Sequence, residues 1–77
     1  MPISAGSHYV VTLHVLLDGV VHDRWRKTVP RDRAMRLAKL LGELGFERRG
    51  GVTWEGRDYF TMVDGELGLM VSFLEVS

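Results

Sequence analysis

Residues 9–30, YVVTLHVLLDGVVHDRWRKTVP, hold two apolar alternations separated by Asp18-Gly19. Tyr9, Val11, Leu13, Val15 and Leu17 recur at every second position, the period of a half-buried strand, and leave His8, Val10, Thr12, His14 and Leu16 on the reverse side. After the turn, Val21, Trp25 and Val29 share one parity, and His22, Arg24, Arg26 and Thr28 share the other. The stretch therefore reads as a β-hairpin and sets the rest of the chain the task of completing an antiparallel sheet. A two-residue Asp18-Gly19 loop would set Leu13 against Arg24 and Val11 against Arg26, mixing faces. A three-residue loop, Leu17 to Gly19, with Gly19 in the left-handed bulge position, pairs Val15 with Val21 and Val11 with Trp25 and keeps the apolar set together. That loop is the expected one, and it sets His14 across from His22.

Val29-Pro30 ends the second strand, because the residue before proline is held extended and proline suits a helix's first turn. In RDRAMRLAKLLGELGF (31–46), Ala34, Leu37, Ala38, Leu41 and Leu44 recur at helical spacing, opposite Arg33, Arg36, Lys39 and Glu43. Gly45 suits a left-handed helix stop, with Phe46 folding back on Leu41. FERRGGVTWEG then reads as a short strand with a turn or bulge at Gly50-Gly51. DYFTMV and ELGLMVSFLEV form a second hairpin around Asp64-Gly65, in which a two-residue loop pairs Met62 with Leu67, Phe60 with Leu69 and Tyr59 with Met70. Leu67, Leu69, Val71 and Phe73 then point inward. The expectation is one α+β domain over residues 1–77, in the order ββαβββ: an antiparallel sheet of about five strands with one helix packed on one face, and a loose terminus at 1–7.

Seventy-seven residues leave little room for both a core and a buried cleft. The absence of cysteine removes disulfides, thiolate metal sites and thiol nucleophiles and fits a reducing compartment. No apolar run approaches the roughly 20 residues that span a bilayer, and MPISAGSHYV lacks a basic region followed by an apolar one. A cytoplasmic protein with no membrane partner is expected. Net charge is zero, but residues 1–45 carry seven Lys/Arg against four Asp/Glu and residues 46–77 carry three against six, so +3 faces −3.

Three sets of residues are candidates for function. His8, His14 and His22 are expected on the uncovered sheet face; with Asp23 assigned to the other face, they are displayed rather than used, and no metal is expected. Arg24, Arg26, Lys27, Arg31, Arg33, Arg36 and Lys39 place seven positive charges in sixteen residues, the density phosphate contacts require, though divided between a strand and a helix. Trp25, by its parity, belongs to the core rather than to a stacking platform. The third set is Val10, Leu16, Tyr59, Met70, Leu74 and Val76, with Arg24 and Arg26, on the uncovered face, whose mixture of aromatic, methionine and arginine is that of a contact patch.

The triplet Gly6-Ser7-His8 beside a strand resembles the G-S-H of small HicA-type mRNA-cleaving toxins, and KLLGELGFERR resembles their passage from helix to strand. In that family the triplet follows the helix, whereas here it precedes it. The resemblance implies histidine acting as general acid and base in RNA cleavage. The residues alone offer no nucleophile elbow, phosphate-binding glycine loop or carboxylate pair, and point to a non-enzyme without a small-molecule cofactor. The expected function is a protein-binding module that docks through its uncovered face or a sheet edge, as a homodimer or as a stand-alone inhibitor or adaptor. Inhibitors from phage and mobile elements, anti-CRISPR proteins among them, are comparable in size. The rival is a nucleic-acid-binding protein using the basic segment 24–39.

Overall fold

The computed structural model describes residues 8–53 and 55–76; the expected loose terminus at 1–7 lies outside them. The elements are β1 (His8–Leu17), β2 (Val20–Pro30), α1 (Arg31–Glu43), β3 (Glu47–Val52), β4 (Asp58–Asp64) and β5 (Leu69–Val76). They form one five-stranded sheet in the order β2-β1-β5-β4-β3, every neighbouring pair antiparallel. The last strand is thus the central one, and the ββαβββ α+β architecture with a single helix on the sheet is the one read from the sequence.

The helix starts at once after Pro30, whose φ of −60° and ψ of 152° carry the chain out of the sheet. It stops where Gly45 turns left-handed at φ 102°. There the Phe46 amide donates to the Leu41 carbonyl at 3.0 Å and the Gly45 amide to the Gly42 carbonyl at 3.1 Å, which is a Schellman ending. Ala34 and Ala38 are buried against the sheet, small enough to bring the helix close to Tyr9, Val11, Phe60, Met62, Val71 and Phe73. Phe60 and Phe73 stack with centroids 4.6 Å apart, and Tyr9 meets Phe60 edge-on at 6.3 Å. Leu44 was expected in the helix's apolar stripe, but it sits at the C-cap and is 73% exposed. Among the described residues no helix is long and apolar enough to cross a membrane.

Both hairpins depart from their expected pairing, with different consequences. Between β1 and β2 the loop has two residues, Asp18 and Gly19, both with positive φ (52° and 78°), the signature of a type I′ turn. The parity conflict that argued against this loop is removed by a bulge: Leu13 pairs with Trp25 and His14 with Asp23, so Arg24 is the additional residue. From the bulge to Pro30 the faces come out as expected. Toward the turn they are reversed, so that Val21 joins Leu16 on the uncovered face and His22 pairs with Val15 on the helix side. His14 and His22 are therefore on opposite faces.

Between β4 and β5 the expected two-residue loop is a four-residue one. Asp64 pairs with Leu69, and its Oδ1 accepts from the Glu66 and Leu67 amides at 3.0 and 3.2 Å. Phe60 consequently pairs with Phe73, Met62 with Val71 and Tyr59 with Leu74. The slip is an even number of residues, so Val71 and Phe73 still face the helix. Leu67 leaves the strand altogether and is 66% exposed.

Neither the turn nor the bulge expected at Gly50-Gly51 is present, since β3 runs in unbroken register through both residues; beyond it the Thr53 amide donates to the Arg57 carbonyl at 2.9 Å, with Gly56 at φ 84°. Gly50 is required by close approach: a Cβ there would lie 2.5 Å from that of Phe60. The Arg48 guanidinium lies 3.9 Å over the Phe60 ring and covers it.

Candidate functional site on the open sheet face

Among the described residues the sheet carries no second layer opposite the helix, and the face is organised by rows. Its middle row is Arg26, Thr12, Ser72, Thr61 and Arg49, one residue from each strand in sheet order. Thr12, Ser72 and Thr61 are 5%, 8% and 9% exposed although no element among the described residues roofs them. Their small side chains lie low among longer neighbours.

Apolar side chains flank this row on both sides. Val10, Tyr59, Leu74 and Val76 lie toward one end of the strands, and Leu16, Val21, Val63 and Met70 toward the other. The second group, with His14 and Gly68, encloses a hollow of about 190 Å³. The Leu16 amide donates to the Gly68 carbonyl at 2.8 Å, tying the β4–β5 loop to β1 at this spot. Gly68 has φ 68°, and a Cβ on it would approach the Leu16 carbonyl to 3.1 Å.

Across the first row runs a hydrogen-bonded chain from three strands. His14 Nδ1 lies 2.5 Å from Asp23 Oδ1, and His14 Nε2 lies 2.9 Å from Ser72 Oγ. An ionised carboxylate only accepts, so the Nδ1–H donates to Asp23; in the neutral ring Nε2 is then the acceptor and the Ser72 hydroxyl donates to it. Asp23 also lies 3.8 Å from Arg26, and Arg49 contacts Glu47 at 2.8 Å, so the acidic groups of this face are matched within the chain. Thr61 donates to the Arg49 carbonyl at 3.3 Å.

Six residues expected to share the uncovered face, Val10, Leu16, Tyr59, Met70, Leu74 and Val76, do share it, with Arg26 in its central row. Leu16 is 49% exposed and Tyr59 38%. Arg24 stands apart as the bulge residue on the edge strand.

The basic segment is dispersed: Lys27 pairs with Val11 on the helix side, and Arg31, Arg33, Arg36 and Lys39 belong to α1. Trp25 was expected in the core and is instead 47% exposed. On the edge strand it is covered on one flank only, and it lines a shallow groove with Val29, Arg33, Arg36, Leu37 and Leu40.

Of the Gly6-Ser7-His8 triplet, Gly6 and Ser7 lie outside the described residues, and His8 opens β1.

Sequence reasoning missed Asp23, Ser72 and Val63. Asp23 was assigned to the wrong face because the bulge at Arg24 leaves no mark in the alternation. A serine amid Val71 and Phe73 reads as the ordinary polar side of a strand. The one available signal was Asp23 itself, an acidic residue whose face depends entirely on the loop chosen.

No family model matches the chain, and no curated protein or solved structure matches it.

Proposed function

We propose that this protein is a protein-binding module that pairs with a second copy of itself through the open face of its sheet, a role that needs no catalysis and no cofactor. The observation that carries the reading is the composition of that face: eight apolar side chains around a buried hydroxyl row, with its acidic groups already matched by Arg26, His14 and Arg49. Such a face can meet its own copy without stranding a charge, and burial of its apolar groups would add to what a small core supplies. Size supports this. Five strands at about 4.8 Å spacing and about eight residues at 3.3 Å give a footprint of roughly 600 Å² per copy, so roughly 1,200 Å² for two, the lower end of stable interfaces. The cytoplasm is the proposed location, in keeping with a chain free of cysteine.

Light scattering across a concentration series tests the proposal. A two-chain mass is expected that persists in high salt, because apolar docking is insensitive to ionic strength. Met70→Glu should return the mass of one chain with an unchanged circular dichroism spectrum and a melting point that no longer depends on protein concentration. A one-chain mass for the wild type at every concentration overturns self-association, and the face then falls to a foreign partner, as in an inhibitor or adaptor.

A second reading is favoured by one observation, the exposure of Trp25 beside Arg33 and Arg36. An aromatic face between guanidinium groups suits the base and phosphate of a single-stranded nucleic acid. In that case fluorescence quenching by a single-stranded oligonucleotide should vanish in Trp25→Ala and weaken steeply with salt.

A further inference from the structure

Asp23, His14 and Ser72 stand in the order and spacing by which a carboxylate orients an imidazole and the imidazole activates a hydroxyl. We propose that Ser72 is a nucleophile toward esters with a short apolar acyl chain. The three groups come from β2, β1 and β5, and the β-bulge at Arg24 is what brings the first of them to the others. Bulges of this kind often re-aim a side chain beside a reactive centre.

Asp23 holds the ring with the proton on Nδ1, so Nε2 faces the Ser72 hydroxyl at 2.9 Å as a base. The hollow of about 190 Å³ is lined by His14, the base, and walled by Leu16, Val21, Val63 and Met70, an apolar receptacle on the far side of the imidazole, from which an acyl chain would reach Ser72.

In the step proposed, Ser72 Oγ bonds to the ester carbonyl carbon while its proton passes to His14 Nε2 and the carbonyl π pair moves onto oxygen. Collapse of the adduct breaks the carbon–alkoxide bond, and the departing alkoxide takes the proton from Nε2. The products are an alcohol and an acyl ester on Ser72. Water then repeats the sequence, giving the carboxylic acid and the free serine.

Stabilisation of the oxyanion limits the rate. Amides within a β-ladder are committed to their neighbours and the Thr61 hydroxyl donates to the Arg49 carbonyl, so the donor at hand is the hydroxyl of Thr12, which flanks Ser72 on β1. A missing oxyanion donor costs on the order of 10²- to 10³-fold. Covalent capture of Ser72, rather than fast turnover, is accordingly the expected signature.

The test is incubation of the full chain with a fluorophosphonate, followed by peptide mapping. Ser72 should be phosphonylated, with loss of fluoride, at least about tenfold faster in the folded chain than in urea and faster than the chain's other serines. His14→Ala should abolish the difference. Asp23→Asn, which mispositions the ring proton, should remove most of that difference. Labelling of Ser72 at the unfolded rate overturns the proposal, and that comparison requires no variant.

Self-association covers this face, so labelling is run where light scattering gives a one-chain mass. A chain that never pairs leaves the labelling result intact, and a chain that pairs but does not label leaves the docking reading intact.

Discussion

Ser72 and Phe73 are consecutive residues of the central strand, each under a tenth exposed, and they are buried by opposite means. Phe73 lies between the sheet and the helix layer, stacked on Phe60. Ser72 has no layer above it among the described residues and is enclosed by the side chains around it, satisfied by His14. The helix-side face is held by apolar area removed from water, which is worth much and specifies little beyond volume. The open face is held at its centre by hydrogen bonds, each worth only about 1 kcal/mol net but demanding a particular partner in a particular place. One face therefore supplies stability and the other supplies geometry, and that division is why function is sought on the open side.

The largest effect expected is at Phe73. Phe73→Ala removes a fully buried ring from a stack with Phe60, and losses of about 3–5 kcal/mol are usual for such a truncation. A 77-residue chain has roughly 4–12 kcal/mol in all, so urea unfolding should show a midpoint lowered by roughly a quarter or more, down to no folded baseline at the lower end of that range. A loss below about 1 kcal/mol would mean that the helix side is not where stability resides.

The adjacent glycines of β3 sharpen the contrast. Gly50 faces Phe60 and Gly51 faces Tyr59 on the open side, so the same alanine substitution probes each face in turn. At Gly50 the new Cβ would sit 2.5 Å from the Phe60 Cβ and 3.1 Å from backbone atoms of β4, forcing the strands apart; a cost of about 1–3 kcal/mol is expected. At Gly51 nothing lies within 4 Å, and the change should be neutral or slightly stabilising. Equal effects at the two positions would break the comparison.

The fold and the apolar members of the open face were legible and the polar chain at His14 was not, for a shared reason. Alternation and helical spacing report which residues want to leave water, and they placed Tyr9, Val11, Ala34, Ala38, Phe60, Val71 and Phe73 on the helix side without needing any partner to be known. An even slip of the β4–β5 register left those faces intact. Trp25 and Leu44 were misplaced because apolar character says nothing of whether the neighbouring element reaches far enough to cover a residue on an edge strand or past a helix end. The Asp23–His14–Ser72 chain depends on two registers and one bulge. None of these has an apolar signature, and the reversal near the Asp18-Gly19 turn decides which side Asp23 faces. Hydrophobic periodicity is blind to a polar cluster for which the cost of the wrong register is a lost hydrogen bond rather than an exposed ring.

The smallest loss expected concerns the helix side's own polar chain, the counterpart of the one at His14. Tyr9 buries its ring in the core while its hydroxyl donates to Asp58 Oδ2 at 2.7 Å, and the Asp58 amide donates to Glu75 Oε1 at 2.8 Å. Burial first, and then the hydrogen bond and negative charge of Asp58, push the phenol up to about 12 from its usual 10, with Glu75 adding to the shift and Arg31 opposing it. At neutral pH Tyr9→Phe should cost only about 1 kcal/mol, the net value of one hydrogen bond.

The sign of the alkaline effect follows from proton counting. Between pH 10 and about 12 the unfolded chain releases the Tyr9 proton while the folded chain keeps it, so stability falls as pH rises. The contribution is complete below pH 10 and is lost as the pH passes through about 12. Unfolding free energies of wild type and Tyr9→Phe, measured in parallel from pH 8 to 12, should thus converge above pH 10, the wild type having the steeper decline. Parallel curves across that window would show that the Tyr9 hydroxyl is as free to ionise in the folded protein as in water, and that the helix-side face lacks the polar anchor this structure gives it.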